Sequence, residues 1–354
     1  MRVEREAVKS AYHRVASKRI MLTIAFILVA AIALLLTLGF GTYDISLIDS
    51  LKIFFDHIAG NITNKRADLY IWNVRLPRAI AALTMGAGLA VAGAIMQNDF
   101  RNPLAEPYTM GISSGAFLGA TLSIILEVSL IPGLHGDNAI IANAFIFSLA
   151  PTAIIILVST LRRISPTGMI LIGIAIMFLF TSVSRILMVI ASPNNLSKAY
   201  TWLVGSMDKV TWDSVPLMII PTVIGIALLY SIHKKLDVMY LGDVGAKTLG
   251  VDAKKLRIIS LIIVSLMTAS LVCFTGPIGF IGLVGPHIAR IFTGSKNKYL
   301  LPASAAFGAA FLILADTVAK VTGTSGLPVG VVCSMIGGPL FLWILVQQKK
   351  GYWA

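Results

Sequence analysis

Charged side chains are scarce in this sequence. Asp, Glu, Lys and Arg make up 13% of its 354 residues, whereas hydrophobic residues make up 57%. A soluble globular chain has about 25% charged and about 45–50% apolar residues. So few charges could not cover a soluble core of this size, which excludes soluble enzymes, nucleic-acid binders and disordered scaffolds. The composition predicts a polytopic membrane protein.

Motifs that carry chemistry are also missing. The two cysteines, Cys273 and Cys333, lie far apart in apolar runs, and we interpret them as buried, inert thiols. The sequence contains no HExxH, no GxSxG and no paired carboxylates. The segment 242–248 resembles a phosphate loop, but Ala246 stands directly before the lysine, where a Walker A motif has glycine. We therefore expect no catalysis, no metal site and no nucleotide site in this chain.

Long uncharged runs are what the sequence has instead. A helix needs about 20 apolar residues to cross the hydrocarbon core of a bilayer. Runs without Asp, Glu, Lys or Arg recur along the chain, at 20–43, 79–98, 107–126, 139–161, 164–184, 214–232, 258–289, 299–315 and 321–348. We interpret the first run as a retained span, because it is too long for a signal peptide and no clear cleavage site follows it.

The run 258–289 is too long for one span and short for two. Gly276-Pro277 lies inside it, and proline favours a helix break there. The distribution of charge favours two spans, since Lys and Arg accumulate on the cytoplasmic side. With ten spans and both termini inside, 19 of the 29 basic residues are cytoplasmic. The predicted organisation is a cytoplasmic tail (1–19), a ten-helix transmembrane domain (20–348) and a second cytoplasmic tail (349–354).

Glycine and proline cluster within the spans. Gly276, Gly279, Gly282 and Gly285 recur every three residues, so on a regular helix they would wind slowly around it. We therefore expect an irregular segment there, buried in protein because lipid tolerates no unsatisfied backbone. Interrupted spans are typical of transporters. Close helix packing by small residues is the alternative explanation.

A few charged segments need an explanation of their own. Asp316 and Lys320 are four residues apart, so the two could pair on one helix face. Arg75 and Arg78 lie at the outer end of a span, against the positive-inside trend, where an acidic partner or lipid headgroups could face them. The loop 233–257 alternates apolar and charged residues, with Leu241, Val244 and Leu249 on one face of a short helix. Such a segment lies on the membrane surface or docks a partner.

Several longer motifs resemble one family of transport proteins. The chain is similar to the FecCD family, the importer permeases for iron siderophores, haem and cobalamin, over about residues 70–346. The motifs that carry the resemblance are Arg75-Leu-Pro-Arg78, Arg101-Asn-Pro-Leu-Ala-Glu-Pro107, Gly111-Ile-Ser-Ser-Gly-Ala116, Leu241-Gly-Asp243, Leu249-Gly-Val251, Gly276-Pro-Ile-Gly-Phe-Ile-Gly-Leu-Val-Gly-Pro-His287, Ala315-Asp316, Leu327-Pro-Val-Gly330 and Gly337-Gly-Pro339. Family members have ten spans.

The resemblance implies the all-α fold of a type II ABC importer permease in the cell membrane. Its expected partners are a second permease copy or paralogue, two ATPase subunits, an extracytoplasmic substrate-binding protein and membrane lipid, with no nucleic acid. ATP and Mg²⁺ would bind to the ATPase subunits, and this chain would bind no cofactor.

The resemblance also assigns roles to individual residues. It implies that Arg75, Arg78 and Lys320 dock the binding protein. It also implies that Ser165 and Thr167 form the cytoplasmic gate. ATPase coupling falls to Leu241, Gly242, Asp243, Ala246, Leu249 and Gly250. Packing or pathway roles fall to Gly93, Gln97, Asn102, Pro103, Gly276, Pro277, Gly285, Pro286 and His287.

Three positions depart from the family pattern. Lys320 stands where arginine is common, which weakens bidentate capture of a carboxylate. Gly326 replaces the acidic residue that often precedes Leu-Pro-Val-Gly, and Pro166 separates the two gate residues.

We expect import of a metal chelate, with ferric siderophore first and haem or cobalamin as the alternative. A secondary transporter would need carboxylates within the spans for ion coupling. The spans offer only Glu127, near an outer end, and Asp316 beside Lys320. An intramembrane enzyme would need a nucleophile with its base, or a metal spacing, and the sequence shows neither.

Overall fold

The computed structural model describes residues 2–41, 43, 45–162, 164–323 and 326–347. Over these ranges the chain is helical and contains no β-strand. The all-α prediction is therefore confirmed. The tail predicted at 349–354 lies outside the described residues, and its placement stays a prediction.

Fifteen α-helices lie within the described ranges. They are α1 Arg2–Thr37, α2 Leu47–Ile58, α3 Lys65–Tyr70, α4 Leu76–Phe100, α5 Ile112–Leu126, α6 Gly136–Leu161, α7 Pro166–Val189, α8 Pro193–Val204, α9 Ser214–Ser231, α10 His233–Met239, α11 Gly242–Thr248, α12 Ala253–Thr275, α13 Ile281–Thr293, α14 Asn297–Val321 and α15 Val329–Gln347. A π-helical turn, Ile71–Arg75, joins α3 to α4, and a 3₁₀ turn, Pro107–Met110, precedes α5.

Ten helical crossings account for the described part of the chain. Eight helical stretches are long and apolar enough to span a bilayer. The other two crossings are the shorter helices α5 and α13, of 15 and 13 residues. Each brings the chain back between two longer spans. The prediction of about ten spans is therefore confirmed, including the division of the run 258–289 into two.

The two ends of the bundle are named here by the predicted orientation. The inner end holds the last turn of α4, the short helices α10 and α11 and the first turn of α12. The outer end holds α2, α3, α8 and the last turn of α14. α1 runs from the inner to the outer end and includes residues 2–19, so the predicted N-terminal tail continues the first transmembrane helix.

The break between α12 and α13 is shorter than the glycine pattern predicts. Only residues 276–280 leave the helical conformation. Gly276 has a φ of +68°, which favours glycine, and a Cβ atom there would overlap the carbonyl oxygen of Trp202. Gly282 and Gly285 instead belong to the regular helix α13. The expectation of an irregular segment through all four glycines is wrong, because α13 resumes at Ile281.

Close helix contacts explain the remaining glycines of this group. Gly93 of α4 lies so near Gly282 of α13 that a Cβ atom on Gly93 would overlap the Gly282 carbonyl oxygen. Gly86 of α4 and Gly308 of α14 meet in the same way. Small residues allow this approach in a membrane, where packing rather than hydrophobic burial holds helices together. α4, buried along nearly all of its length, is therefore the central helix of the fold.

Candidate functional site

An apolar face is exposed at the inner end of the bundle. α11 begins at Gly242, whose φ of +82° turns the chain sharply after Leu241. Leu241, Val244 and Leu249 are 62%, 82% and 60% exposed. We call these three residues the inner face. The spacing predicted that they would share one side of a short helix, and the structure exposes all three.

The side of α11 opposite the inner face is fixed to the bundle by Arg257. Its Nη2 atom donates to Oδ1 of Asp243 at 2.8 Å, and its Nε donates to the carbonyl oxygen of Asp99 at 2.9 Å. Arg257 and Asp99 are buried, whereas the Asp243 carboxylate is partly exposed. The hydrogen bond from Arg257 lowers the pKa of Asp243 below its ordinary value. Arg257 therefore bridges α11, the start of α12 and the end of α4.

Two further sets of hydrogen bonds hold α10. Asn98 of α4 donates its Nδ2 to the carbonyl oxygen of Leu236 at 2.9 Å. Asp237 accepts from the backbone nitrogen and from Nδ2 of Asn297, each at 2.8 Å. Asn297 is the first residue of α14. The pair α10–α11 is thus attached by polar side chains to α4, α12 and α14.

The other predicted coupling residues have structural explanations in this chain. Ala246 is fully buried, on the side of α11 that faces the bundle. Gly242 is also buried, and a Cβ atom there would lie 2.9 Å from Nη1 of Arg101. Gly250 has a φ of +76° and open space around it, so it serves the turn that leads to α12.

Polar side chains meet between α4 and α13. Gln97 accepts from Nη1 of Arg290 at 3.0 Å and donates to the carbonyl oxygen of Gly282 at 3.3 Å. Nδ1 of His287 lies 2.7 Å from the carbonyl oxygen of Leu283. These residues are buried, as are Gly93, Gly285 and Pro286 beside them. The structure brings this predicted group together as a packed contact between two helices.

The remaining packing residues lie apart from that contact. The Oδ1 atom of Asn102 accepts from the Leu104 nitrogen at 2.9 Å and stabilises the turn after α4, beside Pro103. At the outer end, Gly276 and Pro277 pack against Gly205, close to the last turn of α8. These residues therefore form two separate groups, one at each end of the bundle.

The predicted gate residues lie at the inner end, at the start of α7. Ser165 is the N-cap of this helix, and its hydroxyl accepts from the Gly168 nitrogen at 3.2 Å. Pro166 is the first helical residue, where it needs no backbone donor. Ser165 and Thr167 are both exposed. Their role as a gate stays a prediction.

A charged cluster occupies the outer end. Asp316 of α14 accepts from Nε and Nη2 of Arg78, at 3.0 and 2.8 Å, and pairs with Nζ of Lys320 at 2.9 Å. The pair four residues apart is therefore present as the spacing predicts. Arg78 also pairs with Asp208, which is exposed between α8 and α9. We call Arg78, Asp208, Asp316 and Lys320 the outer cluster.

Arg75 lies at the outer end, as predicted, but its guanidinium points into the protein. It is 2% exposed. Its Nη1 donates to the carbonyl oxygen of Leu38 at 2.6 Å and to the Ser50 hydroxyl at 3.1 Å, and its Nη2 donates to the carbonyl oxygen of Tyr43 at 2.5 Å. Lys320 is also buried. Direct contact of Arg75 and Lys320 with a docking partner stays a prediction, and this arrangement presents neither one to the outer solvent.

Gly326 has a local explanation for its departure from the family pattern. Its φ is +74°, a conformation that an acidic side chain adopts only with strain. The backbone N–H of the next residue, Leu327, donates to the carbonyl oxygen of Ala319 at 2.8 Å. Glycine therefore suits the tight return from α14 to α15.

Some functional candidates were absent from the sequence-based set. Asp208 belongs to the outer cluster, and Arg257 attaches α11 to the bundle. The sequence does not reveal these roles, because each residue pairs with a residue on another helix or loop. Asp208 meets Arg78 across 130 positions, and Arg257 meets the Asp99 carbonyl across 158. One local signal was available, since Asp243 and Arg257 flank the same short loop.

The fold matches a solved structure of an ABC transporter. That structure is described as a metal-chelate type of ABC transporter in an inward-facing conformation, and it matches with a TM-score of 0.82 and 28% identity over 93% of this chain and 99% of that one. The architecture defines the class of the protein as a multi-pass permease subunit of an ABC transporter. Residues 27–347 match the FecCD transport family, and the chain belongs to that family.

Three relatives are named for different cargoes. The chain is 36% identical to the hemin transport system permease protein HmuU of Yersinia pestis, over 90% of this chain and 94% of that one. It is 37% identical to the cobalamin import system permease protein BtuC of Halobacterium salinarum, over 80% and 75%. It is 34% identical to the Fe(3+)-citrate import system permease protein YfmD of Bacillus subtilis, over 96% and 98%.

Proposed function

We propose that this chain is the membrane permease of an ATP-driven importer that carries a ferric siderophore into the cytoplasm. The observation that carries the proposal is the inner face, an exposed apolar surface attached by Arg257, Asn98 and Asn297 to three transmembrane helices. An ATPase that moves this surface would move α4, α12 and α14 with it. Partner ATPase subunits would bind and hydrolyse ATP.

The iron chelate is proposed from the relatives. The names of these relatives share chelated metal as cargo, as iron citrate, haem or cobalamin. The iron citrate relative covers 96% of this chain and 98% of its own length, against 90% and 94% for the haem relative, although its identity is slightly lower. We therefore place ferric siderophore first and keep haem and cobalamin as the alternatives. The partners proposed are a second permease, two ATPases and an extracytoplasmic binding protein.

Uptake by cells that express the complete transporter separates these cargoes. We expect saturable uptake of a ⁵⁵Fe-labelled hydroxamate siderophore and no uptake of labelled haem or cobalamin. Preferential uptake of haem or cobalamin would assign the alternative cargo. In proteoliposomes, transport should require ATP and the ATPase subunits and should tolerate collapse of the proton gradient. Accumulation by this chain alone along a proton or sodium gradient would instead establish a secondary transporter.

The inner face can be tested by Leu249→Arg. An arginine in an interface that excludes water leaves a buried unpaired charge, which costs several kcal/mol. We expect the variant to insert normally and to lose most of the ATPase in co-purification. Leu130→Arg is the matched control, because Leu130 is an exposed leucine in the loop between α5 and α6 at the outer end. Equal ATPase recovery from both variants would contradict docking at the inner face.

A further inference from the structure

Helix α2 packs against the outer end of the long helix 65–100 by one of its sides. Ser50 accepts from Arg75 at 3.1 Å. The ring of Phe54 stacks on Trp72 at 5.7 Å between centroids, and the ring of His57 stacks on it at 4.0 Å. Nδ1 of His57 also lies 2.7 Å from Oδ1 of Asp68. This side fixes the position of α2 on the protein.

The solvent-accessible sides of α2 differ in character. Ile48, Phe55 and Ile58 are 79%, 60% and 63% exposed. At 3.6 residues per turn, they lie within an arc of about 80°. Asp49 and Lys52 are also exposed and lie on the adjacent arc, about 40–100° around the helix. The exposed surface of α2 is therefore divided into an apolar stripe and a charged stripe.

The level of α2 along the bundle follows from the helix it contacts. Residues 65–100 form a continuous helix of 36 residues, about 54 Å long, whereas the hydrocarbon core is about 30 Å thick. Gly86 meets Gly308 close to the middle of α14. Arg75 lies 11 residues further out, about 16 Å from that point, at the edge of the hydrocarbon. Because Ser50 contacts Arg75 and His57 contacts Asp68, α2 rises from this edge through the headgroup layer.

Aromatic and basic side chains accompany α2 at this level. Tyr43 and Tyr70 lie 5.3 Å apart between ring centroids, and Trp212 donates its Nε1 to the carbonyl oxygen of Trp72 at 2.8 Å. Tyr and Trp are enriched where a membrane meets water. Lys65 and Arg66, at the start of α3, are exposed beside α2. These cations lie on the side of the membrane where basic residues are disfavoured. Lys65 is about 15 Å further out than Arg75 on the same helix, beyond a headgroup layer about 5–8 Å deep. The long side chains of Lys65 and Arg66 would reach the phosphates by extending back toward the membrane.

We propose that the apolar stripe of α2, with Lys52, Lys65 and Arg66, is a lipid-binding surface in the outer headgroup layer. Ile48 reaches the boundary with the acyl chains, Phe55 lies among the headgroups, and Ile58 lies furthest out. Asp49 faces water, whereas Lys52 lies between Ile48 and Asp49 around the helix and reaches the headgroups. The two contributions that hold amphipathic helices at a membrane surface, buried apolar area and attraction to anionic lipid, are both present, although α2 rises through the headgroup layer instead of lying in its plane.

Single-cysteine variants measure this arrangement in the full chain. Ile48→Cys, Phe55→Cys and Ile58→Cys place a nitrobenzoxadiazole label on the apolar stripe, and Asp49→Cys places it on the charged stripe as the control. Cys273 and Cys333 are buried, so the unsubstituted chain reports background labelling. The chain is reconstituted in vesicles of phosphatidylcholine and phosphatidylglycerol. Quenching is measured with headgroup-proximal spin-labelled lipid and with aqueous iodide.

We expect lipid quenching to decrease in the order Ile48, Phe55, Ile58, Asp49. The label at position 48 should be quenched by the lipid probe about threefold more than the label at position 49, since the two sites differ by about 100° around one helix. Iodide should quench in the reverse order. Equal access of iodide to positions 48 and 49 would overturn the proposal. So would protection that appears only when permease copies are crowded together or when an outer soluble protein is added.

The basic residues are tested by the double variant Lys65→Glu with Arg66→Glu. Native mass spectrometry of the chain released from mixed vesicles should show bound phosphatidylglycerol reduced about fivefold, because like charges repel the headgroup. Lys198→Glu is the control, an exposed basic residue on α8 at the same end of the bundle. Equal loss in the control, or no loss in the double variant, would remove the headgroup contact from the proposal.

Discussion

At the scale of single residues, charge neutralisation inside the protein explains several positions that the sequence presents as isolated charges. Asp316 pairs with Arg78 and Lys320, and Arg257 joins Asp243 to the Asp99 carbonyl. Burial of an ion is costly unless it is paired and hydrogen-bonded. Removal of one charged residue from either group would therefore leave another charged residue without its partner.

Asp316→Asn tests the outer cluster. The change leaves Arg78 and Lys320 without their shared buried carboxylate, and breaking a buried pair costs about 3–5 kcal/mol. We expect a clearly lower midpoint of thermal unfolding in detergent. Asp137→Asn is the control, since Asp137 pairs with Lys209 at an exposed site, where ion pairs contribute little. Equal midpoints for the two variants would show that the outer cluster adds no stability.

The bond from Arg257 to Asp243 predicts a dependence on pH. The pKa of Asp243 is lowered from 3.8 in the folded chain, chiefly by this hydrogen bond. The stabilisation is therefore present above the ordinary pKa and is lost as pH falls through the folded value. Amide exchange of residues 242–248, corrected for its intrinsic pH dependence, should stay constant from about pH 7 to pH 5 and rise below about pH 4.

Asp243→Asn supplies the comparison for this measurement. The amide keeps the shape of the side chain and removes its titration, so we expect faster exchange at neutral pH and a flat corrected profile. A wild-type profile that is flat down to pH 3, or one that the substitution leaves unchanged, would contradict the assignment.

At the scale of elements, helix contacts set the architecture more than helix propensity does. α4 meets α13 and α14 at glycines whose backbones touch. The short helix α13 follows the irregular segment 276–280, whose backbone packs against Trp202 and Gly205, as non-helical backbone within a membrane requires. Long uncharged runs therefore predict where helices cross, whereas the ends of those helices depend on neighbours.

Gly93→Ala tests the contact between α4 and α13. The added methyl group would overlap the Gly282 carbonyl oxygen, and overpacking of this kind costs about 1–3 kcal/mol or more. We expect a lower unfolding midpoint and reduced yield of folded chain. Gly279→Ala is the matched control, because nothing lies within 4 Å of a Cβ atom there and its φ is not positive. The contact would be dispensable if both variants unfolded at the wild-type temperature.

At the scale of the whole molecule, one helix connects the two candidate sites. α4 carries Arg78 near its outer start and Asn98 and Asp99 in its last turn. The outer cluster and the attachment of α10–α11 therefore share a rigid element. Under the proposed function, a displacement of the inner face reaches the outer end through α4.

Arg257→Gln tests that connection. Glutamine can keep one hydrogen bond but cannot bridge Asp243 and the Asp99 carbonyl. Because the inner face is unchanged, we expect normal co-purification of the ATPase, with several-fold less substrate transported per ATP hydrolysed. Lys255→Gln is the control, since Lys255 is exposed and its pair with Asp252, three residues before it, is an exposed one. An unaltered transport ratio in Arg257→Gln would show that the bridge has no part in coupling.

The sequence by itself determined the membrane character, the number of spans and the family. These follow from local quantities, namely charge-free runs, the side on which Lys and Arg accumulate, and motifs such as 276–287. The ion pair of Asp316 with Lys320 and the exposed positions Leu241, Val244 and Leu249 were also predictable, because each set lies within one or two helical turns.

Only the tertiary structure decided which charges meet across the fold and which face outward. The sequence predicts Arg75 as a cation at the outer end. Its guanidinium instead points into the protein, where it donates to the backbone carbonyls of Leu38 and Tyr43. Arg78 meets Asp316 from 238 positions away, and Gly93 finds Gly282 only because α13 resumes at Ile281. Such contacts depend on where helices cross. The hydrophobic pattern of the sequence does not predict these crossings, because apolar residues can face either lipid or packed protein.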